Sequence, residues 1–146
     1  MSDDRNVMMS ASGYQSLVSP EGGKGLHWTV NVNDELPVKM RPSGPGSEVP
    51  FTLCQMFMNS VRSGQDRPAM WVERNGRKLS WTWNQYYQDA MRFAKACHHL
   101  NVSDRSTVAI MGFNAPEWAI SFIGGIMNNN LNTGIYITNT ADACLY

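Results

Sequence analysis

The chain has 146 residues, 12 basic side chains against 12 acidic ones for a net charge of zero, 42% hydrophobic residues and three cysteines. That length and apolar content suit a folded domain and argue against disorder for most of the chain. The balanced charge leaves no basic footprint for nucleic acid or an anionic membrane surface. Cys54, Cys97 and Cys144 are too scattered for a disulfide framework or a zinc site.

Met1-Ser2-Asp3-Asp4-Arg5 is acidic with no apolar segment behind it, so no secretory signal is expected. The most apolar stretch, Trp118 to Met127, is about half of the roughly 20 residues that a membrane helix needs. A soluble chain in the reducing cytoplasm is the expectation, and the sequon Asn101-Val102-Ser103 is then without consequence.

Residues 1–25 are Ser/Gly/Met-rich without apolar periodicity and read as a flexible arm, with residues 26–146 forming the folded part. Leu26 to Asn33 alternates apolar and polar residues, the period of a half-buried strand. Leu36 to Met40 repeats the alternation, which predicts a hairpin through Asn33-Asp34-Glu35 with Pro37 on an edge strand. Arg41-Pro42-Ser43-Gly44-Pro45-Gly46-Ser47 stacks breakers and predicts a loop.

Beyond Pro50 the punctuation is explicit. Thr52 and Gln55 form a capping-box pattern, with Phe51 and Met56 at the staple positions. Leu53, Met56, Phe57 and Val61 follow at helical spacing, and Gly64 is the expected left-handed stop. Met70 to Arg74 and Arg77 to Ser80 are strand-like runs joined by Asn75-Gly76, a pair suited to a turn with two positive φ values. Thr82 with Gln85 repeats the capping pattern. Trp83, Tyr86, Tyr87, Ala90, Met91, Ala94 and Cys97 then predict a long amphipathic helix. Asn114 with Glu117 gives the pattern a third time, with Pro116 in the first turn.

Thr107 to Met111 is a nearly continuous apolar run, expected of a strand buried on both faces. A helix from about Ala115 to Met127, apolar nearly all round, follows it and ends at Asn128-Asn129-Asn130. Leu131 to Ile137 then reads as another strand. Strand, helix and strand at this spacing predict a βαβ unit with parallel pairing. Asn139 and Thr140, with Asp142 in the next turn, mark one more helix start. The expectation is the opening piece of a larger α/β domain rather than a complete small one.

Residues of chemical interest do not converge in sequence. Gly22-Gly23-Lys24-Gly25 fails the Walker A spacing, and Gly44-Pro45-Gly46 marks a turn rather than a dinucleotide loop. Cys97-His98-His99 cannot meet on one ion, because neighbouring helical residues point about 100° apart. A buried cysteine beside two histidines at a helix C-terminus is the better account. His27 is expected to be solvated, Asp34-Glu35 to lie in a turn, and Glu117 to serve as a cap. Trp71, Trp81, Trp83, Tyr86 and Tyr87 are expected in the core rather than on a base-stacking platform. No catalytic, cofactor-binding or metal residue is assigned on spacing.

Several segments carry a family resemblance over Leu26 to Tyr146. They are Ser43-Gly44-Pro45-Gly46-Ser47, Leu79 to Tyr87, Val108-Ala109-Ile110-Met111-Gly112-Phe113-Asn114-Ala115-Pro116-Glu117-Trp118, and Thr133-Gly134-Ile135-Tyr136-Ile137-Thr138-Asn139 with Ala143-Cys144. Together they resemble the N-terminal part of bubblegum-type long-chain acyl-CoA synthetases in the adenylate-forming, or AMP-binding, superfamily. Ser103-Asp104 and Asn128-Asn129-Asn130 depart from the family pattern but still serve as turn and cap.

The resemblance implies an incomplete N-terminal part of the family's large α/β domain, truncated at its C-terminus. Its two β-hairpins, long amphipathic helix and βαβ unit come from the reading above. It also implies a parent enzyme that joins a fatty acid to coenzyme A with ATP and Mg²⁺ through an acyl-adenylate. No Ser/Thr/Gly phosphate loop is present. The chain alone is therefore expected to be inactive and to hold none of these cofactors tightly. Peripheral association with intracellular membranes is open to the parent. The alternatives are a non-catalytic protein that binds a full-length paralogue and an autonomous ligand-binding domain.

Overall fold

The computed structural model describes residues 18–19, 28–31, 33–34, 36 and 38–145. Internal contacts divide the chain into two units, residues 1–51 and 52–146. In the first unit, β1 (Val18–Ser19) pairs in parallel with β2 (Val38–Lys39), with Val18 opposite Val38. The remainder of the expected arm, including Gly22 to Gly25, lies outside the described residues, as do His27 and Glu35.

The expected first hairpin is not formed among the described residues: Val38–Lys39 takes a parallel partner, and the segment around residue 31 is a turn. Short polar side chains explain the turn. The Thr29 hydroxyl donates to Asp34 Oδ2 at 2.7 Å, Asn31 Nδ2 donates to Asp34 Oδ1 at 2.9 Å, and Asn31 Oδ1 accepts from the Asn33 amide. Such local bonds compete with a strand ladder. The Gly/Pro loop forms as expected, with Gly44 at φ 74° and Gly46 at φ 90°, closed by the Arg41 amide on the Gly46 carbonyl.

The second unit begins with α1 (Leu53–Gly64), whose capping box is complete. The Gln55 amide donates to Thr52 Oγ1, and the Thr52 amide donates to Gln55 Oε1 at 2.7 Å. The stop differs from expectation, since Gln65 and not Gly64 takes the positive φ of 46°. Gly64 is small for a packing reason: a Cβ there would fall 2.0 Å from Trp83 Cδ1.

β3 (Pro68–Arg74) and β4 (Arg77–Thr82) form the antiparallel hairpin, with Arg74 opposite Arg77 and Trp71 opposite Ser80. Asn75 at φ 53° and Gly76 at φ 69° make the turn. α2 (Trp83–His99) starts with the second complete capping box. Its first two amides, normally orphans at a helix start, reach the Arg67 and Gln65 carbonyls.

β5 (Thr107–Met111), α3 (Pro116–Met127) and β6 (Leu131–Ile135) form the expected βαβ unit, paired in parallel with Val108 opposite Asn132 and Ile110 opposite Gly134. α2 and α3 each end in a Schellman motif. Asn101 (φ 57°) and Asn129 (φ 58°) take the left-handed position, and the following amides, Val102 and Asn130, reach Cys97 and Gly125 carbonyls. The short α4 (Ala141–Leu145) is capped by the Thr140 hydroxyl, which accepts from the Ala143 amide.

The core lies where α1, α2 and α3 meet. Phe57, Val61, Ala90, Ala94 and Cys97 are buried there, and Phe57 packs edge-on to Tyr86 at 4.8 Å between centroids. Small residues allow α2 and α3 to approach closely: a Cβ on Gly124 would lie 2.6 Å from the Ala90 carbonyl oxygen. The expectation that β5 is buried on both faces is corrected. Val108 and Ile110 are half-buried, whereas Thr107, Ala109 and Met111 on the alternate face are exposed. Among the described residues, β5 and β6 form a two-stranded sheet with nothing to cover that second face.

Candidate functional site

An open concavity of the second unit lies beyond the carboxyl ends of β5 and β6. Open α/β sheets commonly receive ligands at that end, because loops leave the strands there and side chains converge above the sheet. Gly112-Phe113-Asn114-Ala115 leads from β5 into α3, and Tyr136-Ile137 leaves β6. With Trp118, Gly134 and Ile135 these segments enclose an open cleft of about 430 Å³.

Phe113 is 77% and Tyr136 80% exposed, unusual for large rings. Trp118 is held in place by stacking on Phe122, at 5.8 Å and 19° between planes. Gly134 keeps the cleft floor low, since a Cβ there would sit 3.3 Å from Trp118 Cζ2. Among the described residues, the Asn114 carboxamide has no hydrogen-bond partner.

The expected third capping box is not formed. Pro116 occupies the first helical position and makes Ala115 the N-cap, without a side-chain cap bond. Glu117 turns instead to the hairpin, where it accepts two bonds from Arg74, Nη1 to Oε1 at 2.7 Å and Nη2 to Oε2 at 2.6 Å. The Arg74 hydrogen bonds hold the Glu117 carboxyl below its usual range, and Glu117 in turn raises the Arg74 guanidinium. Both side chains remain about half exposed. The pair fixes the tip of the β3–β4 hairpin beside the start of α3, one residue from the cleft wall at Trp118.

Other residues weighed on sequence do not assemble a site. Cys97 is buried, while His98 and His99 are exposed in the last turn of α2. Burial pushes the Cys54 thiol up. No group of three His, Cys, Asp or Glu side chains converges among the described residues. Asp34 lies in a turn as expected. Trp83 and Tyr86 join Phe57 in an aromatic cluster, but Trp71 departs from the expected core: it is 59% exposed and lies under Lys78 Nζ, 4.6 Å from the ring centroid. Its strand has one face on the helices and one in solvent, and Trp71 falls on the solvent side.

A smaller polar groove of about 260 Å³ runs between β4 and α2, past Ser80, Trp81 and Arg92. Asp89 fills its acceptor role internally, taking the Trp81 indole N–H at 3.0 Å and pairing with Arg92. Sequence reasoning passed over Phe113 and Tyr136 as members of a site. The available signal was positional: Phe113 follows the first predicted parallel strand, and Tyr136 falls near the carboxyl end of the second, Leu131 to Ile137.

The comparisons with known proteins agree on the family. Residues 57–146 match the family model described as AMP-binding enzyme. The chain is 33% identical over 144 residues to long-chain-fatty-acid–CoA ligase ACSBG2 of Gallus gallus, covering 99% of this chain and 19% of that one. It is 36% identical over 120 residues to the Homo sapiens ACSBG2 ligase, covering 82% of this chain and 18% of the relative. The chain thus spans about a fifth of the length of these curated relatives.

Among solved structures, the fatty acid AMP ligase from Legionella pneumophila superposes with a TM-score of 0.56 at 12% identity, over 64% of this chain and 16% of that one. The anthranilate CoA ligase AuaEII, in complex with anthranoyl-AMP, gives 0.55 at 18% identity, over 63% and 17%. At these identities the likeness is one of fold. No helix among the described residues is long and apolar enough to cross a membrane.

Proposed function

Since the chain belongs to the AMP-binding enzyme family, we propose that it supplies the N-terminal scaffold of a long-chain fatty acid–CoA ligase. That enzyme would join a fatty acid to coenzyme A at the expense of ATP, releasing AMP and pyrophosphate by way of an acyl-adenylate. The observation that carries this reading is the 33–36% identity to ACSBG2 ligases over 120 residues or more. The scaffold role follows from the residues present. The shared segments build a capped helix, a hairpin and a βαβ unit, while the sequence holds no Ser/Thr/Gly phosphate loop.

We further propose that the 146-residue chain does not turn over alone, and that the parent enzyme works in the cytoplasm with peripheral association to intracellular membranes. Two experiments test these readings. Purified chain with ATP, Mg²⁺, palmitate and CoA should give no thioester above background; a thioester overturns the inactivity. Replacing the matching fifth of the chicken ligase with this chain should preserve palmitoyl-CoA formation. A chimera that melts cooperatively yet makes no thioester overturns the ligase reading.

A second reading, a non-catalytic partner of a full-length paralogue, draws on the uncovered sheet face, where Met111 is 50% and Leu131 57% exposed. Co-expression with the full-length relative separates the two: stable co-purification without any effect on turnover favours the partner role.

A further inference from the structure

Of the asparagines in the chain, only Asn75 is followed by glycine. The fold sets this pair at the tip of the β3–β4 hairpin, where Asn75 and Gly76 take φ values of 53° and 69° and are both exposed. Among the described residues, the Asn75 carboxamide has no hydrogen-bond partner. Gly76 has no side chain to shield its amide nitrogen, and nothing lies within 4 Å of where a Cβ would stand.

Other asparagines of the second unit are placed differently. Asn84, Asn128, Asn130 and Asn132 donate from their side chains to Asp66, Asn130, Ser103 and Phe122. Asn114 shares the unbonded carboxamide but precedes alanine, whose Cβ crowds the next backbone nitrogen.

We propose that Asn75 is a self-modification site, converted by water to aspartate and isoaspartate, and that the Arg74–Glu117 pair restrains its rate. The Gly76 amide nitrogen gives up its proton and attacks Asn75 Cγ. The new C–N bond closes a succinimide ring, while the carboxamide nitrogen takes up a proton and leaves as ammonia. Water then opens the ring. Breaking the bond from the Gly76 nitrogen to the side-chain carbonyl carbon gives aspartate. Breaking its bond to the backbone carbonyl carbon gives isoaspartate, with the main chain rerouted through the side chain.

Ring closure requires the Asn75 backbone to rotate out of its turn conformation, so whatever fixes the hairpin tip slows the reaction. The ladder holds Arg74 opposite Arg77 on the two sides of the turn. From outside the hairpin, Glu117 holds Arg74 by two hydrogen bonds. The products act back on that restraint. Each carries a new carboxylate next to Arg74, a competitor for the guanidinium that Glu117 holds. Isoaspartate also adds a backbone carbon to a tight turn. Deamidation therefore loosens, irreversibly, the tie between the hairpin tip and the start of α3. This chemistry is independent of the ligase reading.

The test incubates the full chain at mildly alkaline pH and low salt, folded or in urea. Cleavage after glutamates then releases residues 74–117, in which tandem mass spectrometry locates each amide-to-acid mass gain. Isoaspartate is counted by enzymatic methylation with S-adenosylmethionine. In the folded chain the gain should fall on Asn75 and leave Asn84, Asn101 and Asn114 as amides. Glu117→Gln should speed it about twofold to fivefold, the factor expected from losing an exposed ion pair. In 1 M NaCl the parent should rise to the rate of the variant, and the variant should not change. Asn75→Asp keeps a residue suited to the turn and should show no mass gain there. Near-UV circular dichroism checks that each variant is folded, and the salt comparison on the parent needs no variant.

An Asn75 that stays an amide in the folded chain while it reacts in urea overturns the proposed site. So does an earlier gain at Asn114. Equal rates for parent and Glu117→Gln, with no response of the parent to salt, overturn the restraint by the ion pair.

Discussion

Arg74 and Glu117, 43 residues apart, meet through two parallel hydrogen bonds of 2.7 and 2.6 Å that tie the hairpin tip to the first turn of α3. The bidentate geometry suits a planar guanidinium and a carboxylate. Exposure limits what the pair contributes, because solvent and salt screen it. Its effect is chiefly to set where the hairpin stands.

An acid titration should reveal the pair. The folded Glu117 pKa lies below its unfolded value, so its contribution is present above the unfolded pKa and fades as pH falls through the folded one. Glu117→Gln should therefore melt slightly lower than the parent at pH 7 and low salt. The gap should close in acid below the folded pKa, and also in 1 M NaCl. A gap that persists in both would show that the residue acts by packing.

The contact between α2 and α3 is less tolerant. Adding one carbon at Gly124 places it 2.6 Å from the Ala90 carbonyl oxygen and 2.8 Å from Phe93 Cβ, and backbone cannot yield as a side-chain tip can. Gly124→Ala should cost about 1–3 kcal/mol net, since the overpacking outweighs a helix-propensity gain of up to about 1 kcal/mol. Thermal melting should show a fall of several degrees, whereas Gly112→Ala, with open space around it, should melt within about 1 kcal/mol of the parent.

The helix starts offer an internal contrast. Thr52→Ala and Thr82→Ala each remove a bond to the third helical amide and should cost about 1 kcal/mol in urea unfolding. Asn114→Ala removes no cap bond, because Ala115 is the N-cap, and should change stability by less than about 0.5 kcal/mol. A large loss at Asn114 would restore the capping box that its sequence position suggests.

Tyr86 predicts behaviour in alkali. Its hydroxyl donates to the Ala119 carbonyl at 3.1 Å, and burial pushes the phenol up to about 12 from 10.0. A folded pKa above the unfolded one gives a contribution that is complete below pH 10.0 and fades as pH rises towards about 12. Tyr86→Phe should lose about 1 kcal/mol at neutral pH from the missing hydrogen bond. Its melting temperature should then fall less steeply than the parent's between pH 10.0 and about 12; parallel slopes would exclude Tyr86 as the titrating group.

Much of the second unit was legible residue by residue. Thr52 with Gln55, Thr82 with Gln85, and Asn75-Gly76 each state their geometry within four residues, and all three formed as read. The third pattern, Asn114 with Glu117, misled because a carboxylate that fits a cap also fits a distant arginine, and proline moved the helix start by one residue. The cleft was not legible, because its aromatic walls come from segments after two different strands, and each of those segments reads as family scaffold rather than as part of a site.

In the second unit the sequence by itself determined the elements, their order and the parallel pairing of β5 with β6 and, through its resemblance, the family. These depend on short-range signals: caps, turns and hydrophobic period act within a few residues. Only the tertiary structure decided which groups meet. It placed Arg74 on Glu117, left Asn114 outside the helix cap, brought Trp83 against Gly64, and set Phe113 across from Tyr136. Those pairings arise when helices and strands pack, and packing compares distant surfaces that no local pattern records.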